Sequence, residues 1–302
     1  MRNSVTLLFL LATASLMPVR AEPVGPRGPV GCLKNPKQVS KLRITKPGVY
    51  ENILVEGNGA GGNLVKITSG GVTLRHCEIR NGGGNGVGVF ASGVVIEKCR
   101  IHHMLAGTFR DQRDAHGVTG RWGDVTIRDC DIGLVSGDSV QFDPDRQSAG
   151  AVTIEHCRLW TGPLPADAAG FKAGERPGEN AVDTKTRPEG GRCRLVIRHC
   201  RLYGWRQPAP ISNAAALNLK ERVDAEVSGC VLHDNEIAFR LRGPTKRGGA
   251  HVRIADCAVY DGEVGVRAED RIENLKIDGL AFGEGVKRKY HFVGGKPGAG
   301  YA

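Results

Sequence analysis

One short phrase of apolar and polar positions recurs along this chain. It reads Val72-Thr-Leu-Arg-His-Cys77-Glu-Ile79, Val94-Val-Ile-Glu-Lys-Cys99-Arg-Ile101 and Val125-Thr-Ile-Arg-Asp-Cys130-Asp-Ile132. Four more copies run from Val152 to Leu159, Leu195 to Leu202, Ala225 to Leu232 and Val252 to Val259, and Leu275 to Phe282 repeats the shape with Leu280 in the cysteine position. Apolar and polar residues alternate with the period of a strand, broken by a bend just before the cysteine. No helical period appears. The cysteines lie 22, 31, 27, 43, 30 and 27 residues apart, so each copy is one coil of a solenoid with loops of variable length.

Many short β-branched strands with Gly-rich corners predict an all-β chain, a single-stranded parallel β-helix whose coils stack at about 4.8 Å. The right hand follows from the rule for parallel crossovers. Seven of the nine cysteines share one position in the phrase. They are expected to form an interior column of free thiols, since the coil spacing exceeds the Cβ separation of about 3.5–4.5 Å that a disulfide prefers. Cys32 and Cys193 fall outside that column.

Between successive cysteine phrases lies another strand, aligned as Gly86 to Phe90, Gly117 to Arg121, Ser139 to Asp143, Ala181 to Lys185, Ala216 to Lys220, Ala238 to Arg242 and Gly265 to Glu269. Its inward positions are apolar. Its outward positions form three columns: a small one (Gly86, Gly117, Ser139, Ala181, Ala216, Ala238, Gly265), a second running Gly88, Thr119, Gln141, Asp183, Asn218, Arg240, Arg267, and a third running Phe90, Arg121, Asp143, Lys185, Lys220, Arg242, Glu269. The expected face has a flat small-residue floor beside a charged wall, in which cations outnumber carboxylates from Ser139 to Arg242. The longest interruption, residues 161–179, enters this face at its central coil and carries Lys172, Glu175 and Arg176. Loops of this length inside a compact domain are usually functional or mobile.

Residues 1–21 have the form of a cleaved secretory leader: Arg2, an apolar run from Val5 to Leu16, then Val19-Arg20-Ala21. The expected division is a leader over 1–21, a β-helix over 22–282, and a Gly-rich tail over 283–302 that reads as loop. No later segment approaches the roughly 20 apolar residues of a membrane span, so the mature chain is expected in the periplasm or outside the cell, as a monomer. The formal charge of +10 becomes +8 when Arg2 and Arg20 leave with the leader. A basic exported protein with few aromatics points to an anionic polysaccharide as partner rather than nucleic acid.

The opening Lys46-Pro-Gly-Val-Tyr-Glu-Asn-Ile53, the cysteine phrase and the central Gly178-Glu-Asn-Ala-Val-Asp-Thr-Lys185 resemble the pectate-lyase-like superfamily of right-handed β-helix proteins. That resemblance implies the same fold and action on a uronate polymer, in the lyases by β-elimination with a Lys or Arg base and carboxylates holding Ca²⁺. The reaction needs the substrate carboxylate neutralised and a base at the C5 proton. Lys185, with Lys220 and Arg242 on the next coils, is expected to have a lowered pKa and is the first choice of base, with Arg240 as its catalytic partner. Asn218, Lys220, Arg242 and Gln141 are the expected substrate contacts, Arg giving a bidentate grip on carboxylates. Asp143, Asp183 and Asp145 are the oxygen ligands available to Ca²⁺; the alternative is a metal-free site whose cations do the neutralising.

Three other readings stand beside the lyase. A hydrolase would use Asp143 and Asp183, expected about 8 Å apart, within the range of inverting glycosidases, although Ala115-His116-Gly117 matches the polygalacturonase signature only in part. An epimerase would use Asp143-Pro-Asp-Arg146, whose motif lacks the expected histidine. A noncatalytic carbohydrate-binding protein needs only the groove and its cations, with His116 and Tyr203 as ordinary turn and corner residues.

Overall fold

The computed structural model describes residues 22–143 and 150–298. Its elements are 25 strands, with no helix among the described residues. The bend in each phrase is a single left-handed residue just before the cysteine position: His76 (φ 49°), Lys98 (53°), Asp129 (53°), His156 (51°), His199 (53°), Gly229 (60°), Asp256 (51°) and Gly279 (71°). One such residue redirects the chain, so each phrase feeds two sheets.

The first sheet holds strands such as Val72–Arg75, Val94–Glu97, Val125–Arg128, Ala151–Glu155, Cys193–Arg198 and Val223–Ser228. The second holds Glu78–Gly82, Arg100–Met104, Asp131–Val135, Arg158–Trp160 and Arg201–Tyr203. The third is built from Leu42–Ile44, Asn63–Ile67, Asn85–Val89, Val118–Arg121, Val140–Asp143, Asn180–Thr184 and Ala215–Leu219, the ends of Val231–Arg242 and His251–Glu269, and Val286–Val293. Each strand pairs in parallel with its counterparts in the neighbouring coils. The enclosed core is the expected one. Cys77, Cys99, Cys130, Cys157, Cys200, Cys230 and Cys257 form a buried column of free thiols, packed with the Val, Ile and Leu of the phrases. Cys193 is a buried free thiol too, and Cys32 a half-buried one.

On the outside of the first sheet, Glu51, Arg75, Glu97, Arg128, Glu155 and Arg198 occupy successive coils in register. Charge alternates at every step. Ion pairs close at 2.8 Å for Arg75–Glu51, 2.5 Å for Arg128–Glu97 and 2.5 Å for Arg198–Glu155. On the second sheet Trp160, Tyr203, His233 and Tyr260 stack with interplanar angles of 13°, 8° and 5°, which places Tyr203 in a structural stack away from the charged face. The N-terminal segment crosses the left-handed corner: Glu22 meets His199 at 2.7 Å, Arg27 grips Asp129 through its backbone N–H at 2.9 Å and two guanidinium hydrogen bonds of 2.9 and 2.8 Å, and the Gly31 N–H donates to the Lys98 carbonyl.

Two expectations are corrected. The region after Phe282 is not all loop. Val286–Val293 is a strand of the third sheet, with Val264 opposite Arg288 and Val266 opposite Tyr290, and Phe282, Tyr290 and Phe292 pack together. The small-residue column is not an exposed floor either. The chain bends at this corner, so these positions face the core: a Cβ on Gly117 would lie 2.4 Å from Ile132 Cγ2, and Ala181, Ala216 and Ala238 are buried with the core. They are small because the second sheet's aliphatic side chains fill the space.

Gly120, in the third sheet, has φ +141°, and a Cβ there would lie 1.9 Å from the Val89 carbonyl oxygen. Gly120→Ala is therefore expected to lower stability by about 2 kcal/mol or more, measured by urea denaturation of both proteins. An unchanged midpoint would mean that the strand can reroute.

Candidate active site

The second outward column aligns as read from the sequence. Gly88, Thr119, Gln141, Asp183, Asn218, Arg240 and Arg267 are consecutive partners across the third sheet. Its central members are nevertheless buried, with Gln141 2 %, Asp183 5 % and Asn218 6 % exposed. The segments between strands wall the face on one side. The loop over residues 161–179 packs Leu164 and Phe171 on Leu105 and Leu134, with Phe109 and Trp160 at the edge of this small second core. The Gly178 N–H donates to Gln112 Oε1 of the facing loop at 3.2 Å. These loops bring Asp114 and Glu179 to the site.

Beside the column runs a ladder of polar side chains, of which the sequence reading singled out only His116. Asn85 Nδ2 donates to Asn63 Oδ1 (3.1 Å), the His116 N–H to Asn85 Oδ1 (2.9 Å), the Asp138 N–H to His116 Nδ1 (2.9 Å), and Asn180 Nδ2 to Asp138 Oδ1 (2.8 Å). The next coils replace it with Ala215, Ile237 and Val264. A signal was present in the sequence: one position before each aligned small residue, Asn85, His116, Asp138 and Asn180 are polar where the later coils are apolar.

The ladder settles a tautomer. A backbone N–H can only donate, so His116 Nδ1 carries no proton and neutral His116 carries it on Nε2. The atom 3.1 Å from Nε2 is the Gln141 side-chain nitrogen; with the ring proton on Nε2, the amide is assigned the flipped orientation, in which its carbonyl oxygen accepts that proton. Burial lowers the His116 pKa and keeps the ring neutral.

Three carboxyls here, Asp138, Asp183 and Glu179, are held above their usual range. Burial, reinforced by the charge of Asp183, pushes Asp138 well up. Burial also raises Asp183, against the pull of Lys220, whose Nζ lies 3.0 Å from Asp183 Oδ2. Glu179 is raised by burial and by the charges of Asp114 and Asp183. Lys185 reverses its expectation. Burial alone would lower its pKa, but the fields of Asp143, Asp183, Asp114 and Asp138 outweigh that, and the ammonium sits above the ordinary lysine value. The predicted cationic neighbours do not act on it as expected, because Lys220 is engaged by Asp183. In the same way, the excess of cations expected over this face is offset by carboxylates that the loops and turns bring in.

Arg240 and Arg242 are also committed within the protein. Arg240 forms a two-pronged pair with Glu269 at 2.8 and 3.3 Å, while Arg242 and Arg267 approach the same carboxylate at 3.3 and 2.7 Å. Burial would raise Glu269, yet the Arg240 hydrogen bonds and the three guanidinium charges hold it below the usual carboxylate range. The structure thus gathers Gln141, Asp143, Asp183, Lys185, Asn218 and Lys220 around one region and sets Arg240 and Arg242 in an arginine–glutamate knot next to it. Among the described residues, Lys185 Nζ has neither an ion pair nor a hydrogen bond, in contrast to Lys220 and Arg240.

Three buried acceptors on this face, Asp143 Oδ1, Asp183 Oδ1 and Asn218 Oδ1, have no hydrogen-bond partner among the described residues. They suit either hydroxyl donors of a ligand or a cation. The donor set fits a resident Ca²⁺ poorly: no three acidic, His or Cys side chains converge among the described residues, and an ammonium already lies on Asp183. Asp145, the third expected ligand, and most of the Asp143-Pro-Asp-Arg146 run lie outside the described residues.

A family model described as a right-handed β-helix region matches residues 49–163, which supplies the hand of the coil. This is a right-handed parallel β-helix protein. Among solved structures, this β-helix is similar to pectate lyase Pel9A, with TM-score 0.53 and 13 % identity over 92 % of this chain and 68 % of that one. It is likewise similar to an alginate lyase from Paenibacillus sp., with TM-score 0.54 and 15 % identity over 82 % of this chain and 87 % of that one. At these identities the likeness is one of fold. Comparison by sequence with curated proteins finds no match. Among the described residues no helix is long and apolar enough to cross a membrane.

Proposed function

We propose that this β-helix protein is exported and cleaves an anionic, uronate-containing polysaccharide by β-elimination. The observation that carries the reading is the Lys185 ammonium: half-buried, held protonated by surrounding carboxylates, and without an ion pair or hydrogen bond among the described residues while Lys220 and Arg240 are paired. A ligand carboxylate is the natural partner for such a cation. The partnerless oxygens of Asp143, Asp183 and Asn218 call for donors, and sugar hydroxyls provide them. Both structural neighbours quoted above are named as lyases of acidic polysaccharides.

In this reading Lys185 neutralises the C6 carboxylate of the bound uronate, stabilising the enolate-like charge that develops as the C5 proton leaves. A base is then needed with a pKa brought toward working pH. Glu179, raised by burial and by Asp114 and Asp183, meets that need better than Lys185 does. The C5 proton passes to Glu179, the C5–H electrons form the C4–C5 double bond, the C4–O bond breaks, and the leaving oxygen takes a proton from solvent.

Incubation with polygalacturonate, alginate and glycosaminoglycans, with and without EDTA, tests this by the ultraviolet absorbance of unsaturated uronates. New absorbance is expected on one of these polymers. Reducing ends without absorbance would make the raised carboxyls of Glu179 and Asp183 a hydrolytic pair instead, and binding with neither product would make the protein a lectin.

A further inference from the structure

The outward face of the first sheet carries two columns. Nearest the left-handed corner runs the alternating ladder Glu51, Arg75, Glu97, Arg128, Glu155 and Arg198. Two residues back along each strand stand Val49, Thr73, Val95, Thr126, Thr153 and Val196, in register from coil to coil and all small and β-branched. Both columns lie wholly within strands. We propose that this face binds a second copy of the same chain, with the two helix axes antiparallel, in place of the monomer expected from the sequence. Such a pair is independent of the reaction on the third sheet.

Charge selects the occupant. A two-fold axis lying along the strands, midway between Glu97 and Arg128, sets the coils of one copy against those of the other in reverse order. Glu51 of one copy then faces Arg198 of the other, Arg75 faces Glu155, and Glu97 faces Arg128, each pair occurring twice. A parallel pair, with its axis along the ladder, would set Glu against Glu and Arg against Arg. A slip of one coil in the antiparallel pair would do the same, so the ladder specifies direction and register together. The ion pairs within each copy leave the Arg75, Arg128 and Arg198 side chains 41 %, 43 % and 50 % exposed, and a guanidinium has donors enough for a second carboxylate.

Shape agrees with charge. The same axis sets Val49 against Val196, Thr73 against Thr153 and Val95 against Thr126. Val49 is 58 % exposed, and its counterpart Val196 lines a shallow cleft of about 310 Å³ with Thr153, Arg198 and Ser228. A projecting side chain on one copy thus meets a recess on the other, at both ends of the contact. Flat β-branched faces pack about 10 Å apart. The six coils span about 24 Å at 4.8 Å per step, which places the contact at the small end of specific interfaces. The pair is therefore expected to be reversible and salt-sensitive, and it leaves the third sheets of both copies uncovered.

Sedimentation velocity of the purified protein, from micromolar to near-millimolar concentration, tests this in about 0.1 M and about 1 M NaCl, where the Debye length is about 10 and 3 Å. A dimer is expected at the lower salt, with its Kd raised about tenfold or more at the higher. Arg128→Glu sets like charges across the axis, and so does Glu97→Arg, so each variant alone should be monomeric. An equimolar mixture of the two restores opposite charges at both positions and should dimerise. Thr126→Arg leaves the ladder intact but crowds the flat column at the axis, and should be monomeric as well; melting curves check that the variants fold. Wild type that stays monomeric at every concentration, variants that dimerise alone like wild type, or a mixture that stays monomeric would each overturn the proposal.

Discussion

Lys185→Ala is expected to lower turnover of the polyuronate by about a hundred- to a thousandfold, the scale of removing one charge-stabilising donor from a transition state. The fold should survive, because the side chain is half-buried at the mouth of the site and leaves no buried partner behind. Two features of the pH profile distinguish what Lys185 does. As a fixed cation it serves while protonated, so activity should be lost only as pH rises through its raised pKa, above the ordinary lysine value. The acid limb should belong to Glu179, whose carboxyl must be ionised to accept the C5 proton and whose pKa is raised by burial and by Asp114 and Asp183. Glu179→Gln should then cost about 10²–10⁴ in kcat. A rate that instead climbs tenfold per pH unit through neutrality into the alkaline range, with Glu179→Gln near wild type, would make Lys185 the base. Undiminished turnover in Lys185→Ala would remove it from the reaction.

The second large effect is on stability. Lys220→Met removes the ammonium 3.0 Å from Asp183 Oδ2 and leaves a carboxylate that is 5 % exposed without its partner. Breaking one half of a buried pair costs about 3–5 kcal/mol. The sign with pH follows from Asp183 already being raised in the folded protein, by burial against the pull of Lys220. A carboxyl with a raised folded pKa binds its proton more tightly folded than unfolded, so its ionisation reduces stability as pH rises from the unfolded value, about 3.9, through the folded one. Loss of Lys220 raises the folded value further. The deficit against wild type should therefore be complete at neutral pH and shrink toward pH 4. Asp183→Asn combined with Lys220→Met should recover most of the loss at pH 7. Denaturant midpoints across pH for the three proteins check this, and a deficit independent of pH would point to lost packing of the lysine stem.

The coil architecture was legible because its signals are local. An apolar alternation and a residue able to adopt positive φ before each cysteine are all that the first two sheets require. The third sheet's column from Gly88 to Arg267 could be aligned since Val87, Val118, Val140, Val182, Leu217, Phe239 and Val266 mark the inward side. The strand Val286–Val293 escaped notice because the copy of the phrase it follows, Leu275 to Phe282, is the last in the chain and carries Leu280 in place of cysteine, and because its Lys287-Arg-Lys289 run hides the alternation of Val286, Tyr290 and Phe292. The small column was assigned to the wrong side because strict alternation does not anticipate a corner that turns Gly117 onto Ile132.

The site was less legible for a different reason. Gln141, Asp143, Asp183, Lys185, Asn218 and Lys220 were found from one strand's alignment, but their electrostatics depend on Asp114, Asp138 and Glu179, which reach them from loops and turns. The sign of the Lys185 shift depends on that traffic. A reading confined to strand neighbours sees Lys220 and Arg242, whereas the folded chain has given those cations to Asp183 and Glu269.

The alternating Glu51-to-Arg198 ladder on the first sheet also limits how such a molecule can change length. The backbone repeats with every coil, but the charges repeat only with every second one. Excision of a single interior coil would place Arg beside Arg or Glu beside Glu, whereas excision of two adjacent coils restores opposite charges at the seam. Growth and shrinkage of this solenoid should therefore proceed by even steps, with parity imposed by a surface that takes no part in the chemistry.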